Sequence, residues 1–185
     1  MKFNKHTDLD GMHAFLSPSG YHWLNYDENK LKERYTTAQA AAEGTEIHEF
    51  ASIAIKKRFK VARNKKAMYM FINDAIGYRM ESEQPLFYSE YCFGTADAIC
   101  FRDNKLMIFD LKTGKTKASF AQLDVYAALF CLEYGYDPND IEIEERIYQG
   151  NEAIINIPEP ETIKKAMSII VKHDSTLRRL QNEVL

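Results

Sequence analysis

The sequence predicts an α/β (α+β) protein in which a central mixed sheet, with an antiparallel hairpin in it, is flanked by helices. Two apolar runs, at 95–101 and 106–111, lie on either side of a short polar connection and indicate a β-hairpin. Segments of helical length precede and follow these runs. Strands enclosed by helical segments are typical of a layered domain whose sheet is covered.

The elements are predicted in chain order. Gly44 interrupts the first long helix, so a break or a close contact is expected there. Gly135 is expected to end a later helix, and the run Pro158-Glu159-Pro160-Glu161 to open the C-terminal one, with Pro and acidic residues in its first turn. The predicted elements are a short Ser-capped helix in 15–24, helices at 37–59 and 68–80, strands at 86–93, 95–101 and 106–111, a helix at 119–134, strands at 141–148 and 152–157, and the C-terminal helix.

The turn of the hairpin sets its register. Asp103 and Asn104 can adopt the positive φ angles of a two-residue turn. Counting outward from this turn, Asp97 lies directly opposite Asp110. Opposed residues have Cβ atoms about 4.5–5.5 Å apart, and like charges at this separation are destabilising. A cationic group is therefore expected between the two carboxylates.

The hairpin next to these aspartates is apolar on both faces, which predicts a central strand pair covered on both sides. Carboxylates at the end of such a pair are costly unless they bind a metal or pair with a cation. Lys112 projects from the same face as Asp110, and Leu111 from the other. Oxygen ligands favour Mg²⁺ or Mn²⁺, and a structural Asp–Lys–Asp ion cluster is the alternative. The predicted faces are Ile99, Phe101, Leu106 and Ile108 on one side, and Ala98, Cys100, Met107 and Phe109 on the other.

Length and composition favour one globular domain over 1–185, and 45% of the residues are hydrophobic. A formal net charge of -3 gives no global sign of nucleic-acid binding, but the charge is uneven. The segment 56–66 is basic and contains no acidic residue. Such a run is usually a solvated helix end, and beside a metal site it becomes a candidate track for phosphates.

Three cysteines, Cys92, Cys100 and Cys131, fall inside apolar segments and are expected to be buried small hydrophobes. Neither a bilayer-spanning apolar run nor a signal-peptide core is evident, so a cytoplasmic location and no membrane partner are expected.

Four motifs in order resemble the PD-(D/E)XK nuclease superfamily, in its RecB-like exonuclease branch, which includes small phage proteins. The resemblance covers roughly residues 15 to 150 and implies a restriction-endonuclease-like core. Single motifs are weak, but their order and the opposed aspartates make the combination specific. The motifs are Gly44-x-x-x-His48, Gly94-Thr95-x-Asp97, Asp110-x-Lys112 and Gln122-x-x-x-Tyr126.

The resemblance implies a role for each matched residue. The metal would be held by His48, Asp97 and Asp110, with the backbone carbonyl of Leu111. Asp97, Asp110 and Lys112 would be catalytic, with Lys112 orienting or activating the attacking water. DNA contacts are expected from Gln122 and Tyr126, and from Lys56, Lys57, Lys60 and Lys115. Glu46, Glu49 and Glu90 are further candidate ligands, expected to be peripheral.

The expected function is that of a Mg²⁺- or Mn²⁺-dependent exonuclease on single-stranded DNA or duplex ends, in recombination or processing of phage or mobile-element DNA. Self-association and a helicase or recombination partner are compatible with this expectation. An iron–sulfur cluster is not expected, because no cysteine follows Cys131. The alternatives are a non-cleaving nucleic-acid-binding or assembly protein on the same fold, and an endonuclease with the same chemistry.

Overall fold

The computed structural model describes residues 14–16 and 18–184, and the chain divides into two compact units between Glu43 and Gly44. In the first unit a 3₁₀ helix spans Pro18–Asn25. This helix corresponds to the short helix expected in 15–24, whereas its proposed cap, Ser17, lies outside the described residues. The rings of Phe15 and Tyr35 meet edge to face, with centroids 5.3 Å apart.

The strands of the second unit form one five-stranded sheet in the order β1-β2-β3-β4-β5. β3 and β4 are parallel and the other neighbouring pairs are antiparallel, so the fold is α+β with a mixed sheet, as predicted. The elements are α1 (Glu28–Lys56), α2 (Ala67–Gly77), β1 (Glu81–Ser89), β2 (Cys92–Arg102), β3 (Lys105–Lys112), α3 (Ala121–Tyr134), β4 (Glu142–Gln149), β5 (Glu152–Asn156) and α4 (Pro160–Val184).

Several predicted boundaries are wrong, and β1 begins at Glu81 instead of residue 86. α1 begins at Glu28 instead of residue 37, and the carboxylate of Asp27 accepts the N–H of Lys30 at 2.7 Å as a cap. The predicted strand at 86–93 runs across a turn, since β1 ends at Ser89 and β2 starts at Cys92. The alternating apolar pattern hid this turn, which contains neither Gly nor Pro.

The hairpin of β2 and β3 confirms the predicted register from its turn as far as the pair Ala98–Phe109. Asp103 and Asn104 have φ angles of 50° and 62°, as the two-residue turn requires. Gly135, with φ of 74°, ends α3 as expected.

Both faces of the hairpin are covered, and the division of its residues between the faces agrees with the prediction. Ile99, Leu106 and Ile108 join a core formed with α3 and α4. The other face packs on α1 and α2, and its hairpin members are Ala98, Met107 and Phe109. Phe101 and Cys100 are partly buried members of the first and second core, respectively.

All three cysteines are free thiols, and Cys131 is buried, whereas Cys92 and Cys100 are only partly so. Across the described ranges, no helix has the length and apolar character needed to span a membrane.

Candidate metal centre

Three acidic residues, Glu83, Asp97 and Asp110, occupy neighbouring positions on the adjacent strands β1, β2 and β3. Regular pairing of β1 with β2 continues on either side of Glu83 and Asp97 but is interrupted at these two residues. Pairing of β2 with β3 stops one residue before Asp97 and Asp110. The carboxylates therefore meet where the backbone pairing of these strands is broken.

Asp97 is held by contacts from two other elements. Its Oδ2 accepts the backbone N–H of Leu111 at 2.9 Å and lies 3.4 Å from Nδ1 of His48 in α1. The hydrogen bond to Asp97 is the main reason why the pKa of His48 is raised, against the opposing effect of burial. Asp97 and His48 thus meet as the sequence predicts. The structure shows the amide of Leu111 in contact with Asp97, and the metal contact of its carbonyl remains a prediction.

Asp110 is buried, with 3% of its surface exposed. Nζ of Lys112 lies 3.0 Å from its Oδ2 and 3.1 Å from its Oδ1, but the hydrogen-bond geometry is met only at Oδ1. Oδ2 has no hydrogen-bond partner in the described part of the chain. Burial raises the pKa of Asp110, and the negative charge of Asp97 raises it further. Oδ2 of Asp110 therefore has an ionic contact with Lys112 but accepts no hydrogen bond from the described residues, so it can also act as a ligand of a metal ion.

A chain of hydrogen bonds fixes Lys112. Its Nζ donates to Oε1 of Gln122 at 2.7 Å, and Nε2 of Gln122 is 3.4 Å from the hydroxyl of Tyr126. That hydroxyl donates to the carbonyl of Thr95 at 2.7 Å. Gln122 and Tyr126 therefore connect Lys112 to β2, the strand that carries Asp97, while their contact with DNA remains a prediction.

The two glycines of the motifs allow close approaches at the centre. A Cβ at Gly44 would lie 2.8 Å from Oγ1 of Thr113, the residue after Lys112, and α1 continues through Gly44 without a break. A Cβ at Gly94 would lie 3.0 Å from Cε1 of Tyr126. Real Cβ atoms essentially never lie at the first of these distances, and few lie at the second. Of the two alternatives expected at Gly44, the structure shows the close contact.

Glu83 is a site residue that sequence reasoning missed. His48, Glu83 and Asp97 each offer a ligand atom, and these atoms lie within 4.8 Å of one another. Burial and the charge of Asp97 raise the pKa of Glu83. Its φ of 53° is strained for a residue with a side chain. Residue 83 precedes the strand that the sequence predicted, so its place opposite Asp97 was not recognised.

The other predicted ligands are distributed differently. Asp110 is not a member of that three-residue group, although it interacts electrostatically with both His48 and Asp97. Within the described ranges, Glu46, Glu49 and Glu90 also lie outside the group.

Of the basic residues, Lys56 at the end of α1 is close enough to Glu83 to oppose the rise of its pKa. Lys57 and Lys60 are exposed after the end of α1, and Lys115 is exposed in the loop after β3. Their contact with phosphates remains a prediction.

The donor set fits a divalent cation. Carboxylate oxygens with one imidazole nitrogen are ligands that Mn²⁺ accepts, and Mg²⁺ is bound mainly through carboxylates and water. Oδ2 of Asp110, which accepts no hydrogen bond within the described ranges, supplies a further oxygen beside this set. No protein-family model and no curated protein sequence matches the chain.

Proposed function

We propose that the protein is a Mg²⁺- or Mn²⁺-dependent nuclease that hydrolyses phosphodiester bonds in DNA. One observation carries the proposal: Glu83, Asp97 and Asp110 occupy neighbouring positions on three adjacent strands, with His48 against Asp97 and the ammonium group of Lys112 against Asp110. Carboxylates next to a fixed ammonium group suit the hydrolysis of a phosphate ester. That reaction needs a site for a metal cation and a hydrogen-bond donor to the attacking water or to a phosphate oxygen.

The electrostatics of the centre support a bound cation. The pKa values of Glu83 and Asp110 are both raised, first by burial and then by the charge of Asp97. The carboxylate of Asp97 repels those of Glu83 and Asp110, and a divalent cation would relieve this repulsion. Its ligands would come from His48, Glu83, Asp97 and Asp110. When bound, such a cation lowers the pKa of a coordinated water and polarises a phosphoryl oxygen.

Lys112 supplies the second element of the chemistry. An ammonium group has three N–H donors. Among the described residues, Asp110 and Gln122 accept from Lys112, which leaves capacity for one further acceptor. That donor can hold the attacking water or a phosphate oxygen, and it stabilises the negative charge that develops there. Gln122 and Tyr126 keep Nζ in place, so less reorganisation is needed during the reaction.

The nucleic acid is proposed to approach over the exposed basic side chains. Lys56 is beside Glu83, and Lys57, Lys60 and Lys115 are exposed after α1 and after β3. Lysines that neutralise phosphates make binding weaken steeply with salt. An exonuclease acting in phage or mobile-element DNA processing is the specific form of the proposal that the sequence resemblance favours.

A cleavage assay tests the proposal. Linear DNA labelled at either end is incubated with the protein and Mn²⁺, beside Asp110→Ala and Lys112→Ala. We expect each substitution to lower the rate by at least about 100-fold. Asp103→Asn, which keeps a residue that tolerates the positive φ of the hairpin turn, and Lys172→Ala in α4 are matched controls, and both should cleave at the wild-type rate. Comparing the two labels gives the polarity of an end-dependent enzyme.

The outcomes separate the three candidate functions. Activity that survives both site substitutions would discredit the catalytic assignment. A protein that binds DNA, does not cleave it and takes up no divalent ion in isothermal titration would be the non-cleaving binder. Cleavage of covalently closed circular DNA would identify an endonuclease, because an end-dependent enzyme leaves circles intact.

A further inference from the structure

Two phenylalanines of the β1–β2 hairpin form an exposed stacked pair. Phe87 and Phe93 are directly paired across the two strands. Their ring centroids are 6.2 Å apart, with planes inclined by 28°. Phe87 is 52% exposed and Phe93 66% exposed. Large rings left this open to water lack the free energy that burial would provide, so a ligand that covers them gains it on binding. We call this pair the aromatic platform.

The platform lies on the side of the sheet that faces away from α3. Gly94 approaches Tyr126 of α3, and Ala96 belongs to the core formed with α3 and α4. Because side chains alternate along a strand, Phe93 and Thr95 point to the opposite side. Ala98, two residues after Ala96, belongs to the core with α1 and α2 on the other face. The regular alternation of side chains between the two faces is therefore interrupted at Asp97.

The platform is in line with the candidate metal centre. Asp97, at the point where the alternation is interrupted, contacts His48 of α1. Asp97 and Phe93 lie on the same strand, β2. Phe93 precedes Asp97 by four residues, which is about 13 Å of strand. Thr95, between them, is exposed. A nucleic-acid strand spans this distance with about four stacked nucleotides.

We propose that the aromatic platform stacks the bases of single-stranded nucleic acid whose phosphodiester lies at the metal centre. The proposal rests on the proposed function and adds a subsite to it. Aromatic side chains bind bases of any sequence, because every base has a π-face. The platform would therefore hold a strand without sequence preference, and it would favour unpaired nucleotides over duplex, whose bases are already stacked.

A protein partner fits this surface less well. Two ring faces offer far less than the roughly 800 Å² per partner of a stable protein–protein interface. β1 is an edge strand, and a second copy could in principle pair with it. However, Pro85 has no N–H to donate, and Glu83 has a left-handed φ of 53°. Both features interrupt the edge, so strand addition there is disfavoured.

Binding of a fluorescently labelled oligothymidylate, followed by anisotropy, tests the proposal. Ca²⁺ replaces Mn²⁺, and the oligonucleotide is checked to be intact afterwards. We expect Phe87→Ala/Phe93→Ala to bind about 10- to 100-fold more weakly than wild type. Phe87→Leu/Phe93→Leu keeps the apolar surface but loses the rings, and it should also weaken binding. Ile155→Ala/Ile157→Ala removes side chains that are 55% and 74% exposed and should bind as wild type.

An abasic strand of the same length supplies the second measurement. It retains the phosphates but has no bases to stack, so wild type and the double alanine variant should bind it with equal affinity. Equal affinity of these two proteins for oligothymidylate would overturn the proposal, as would a Leu variant that binds like wild type. A dimer in sedimentation that the alanine variant loses would also overturn it, in favour of contact between copies.

The two proposals fail in different ways. DNA cleavage that depends on Asp110, with oligothymidylate binding that ignores the platform, would refute the stacking subsite and leave the nuclease intact. Platform-dependent binding without any cleavage would refute the nuclease and leave the subsite intact.

Discussion

Gly44 of α1 packs against Thr113, the residue that follows β3. A Cβ at position 44 would lie 2.8 Å from Oγ1 of Thr113, which is closer than real Cβ contacts. Gly44 is one turn of helix before His48, and Thr113 follows Lys112. This contact therefore links the helix that carries the imidazole to the strand end that carries the ammonium group.

Gly44→Ala should weaken divalent-ion binding, because Thr113, which follows Lys112, must shift to admit the new methyl group. Thr113→Ala removes Oγ1 and leaves a Cβ 3.8 Å away, which is an ordinary contact. The double variant Gly44→Ala/Thr113→Ala should therefore recover the affinity of Thr113→Ala. It should also be more stable than Thr113→Ala by up to about 1 kcal/mol, because Ala favours the helix over Gly. Titration calorimetry with Mn²⁺ measures the affinity, and thermal melting measures the stability. A Gly44→Ala variant that binds Mn²⁺ with wild-type affinity would contradict this account.

Mn²⁺ should stabilise the folded protein, because its ligands come together only in the native state. At a concentration about 100 times the Kd the gain is about 2.7 kcal/mol, which raises the Tm by about 5–10 °C. Asp97→Asn should lose most of this shift, and Asp103→Asn in the turn should keep it. Chelation with EDTA should return the wild-type Tm to its starting value. A shift of equal size in both variants would place the ion elsewhere.

Tyr126→Phe should lower both stability and activity. The variant loses the hydrogen bond from the Tyr126 hydroxyl to the carbonyl of Thr95. The loss of one such bond costs about 0.5–1.5 kcal/mol. Gln122 also loses a neighbour and should hold Lys112 less firmly, so a several-fold slower cleavage is expected. Tyr134→Phe, at a 53% exposed position of the same helix, is the control in urea melts and cleavage assays. If both variants behave alike, the chain of bonds to Lys112 has no functional role.

Glu145 should make stability fall as the pH rises. Its side chain in β4 is fully buried, Oε2 accepts from Asn156 at 2.8 Å, and Oε1 has no partner within the described ranges. Burial, with a smaller effect of Asp124, raises the pKa of Glu145 from 4.5 to about 7. Between these values the folded state binds more protons than the unfolded state, so the free energy of unfolding decreases with pH.

The matched measurement compares Glu145→Gln with wild type by urea unfolding at a series of pH values. The stability contribution of the protonated side chain is complete below the unfolded pKa of 4.5 and is lost above about 7. The stability difference in favour of Gln should grow across this window by on the order of 3 kcal/mol. A difference that does not change with pH would show that Glu145 has an ordinary pKa in the folded protein.

The hairpin of β2 and β3 shows how much could be predicted from the chain. Asp103 and Asn104 accept positive φ, a two-residue turn then sets the register, and the apolar residues on both faces predict a covered pair. These are local properties, so they were predicted correctly together with the placement of Lys112 beside Asp110. Elements without a comparable local signal, such as the charged start of α1 at Glu28, were misplaced.

Residue types and short-range spacing determined the turn, the register and the pairing of an aspartate with a lysine. The motif resemblance also indicated that His48 joins Asp97. Only the tertiary structure decided that Glu83 lies opposite Asp97 and that Phe87 stacks on Phe93 in line with them. The physical reason is that each of these contacts joins residues separated by a turn or a whole helix. Their approach depends on how the helices pack against the sheet and on the interruption of side-chain alternation in β2. No short stretch of sequence encodes either feature.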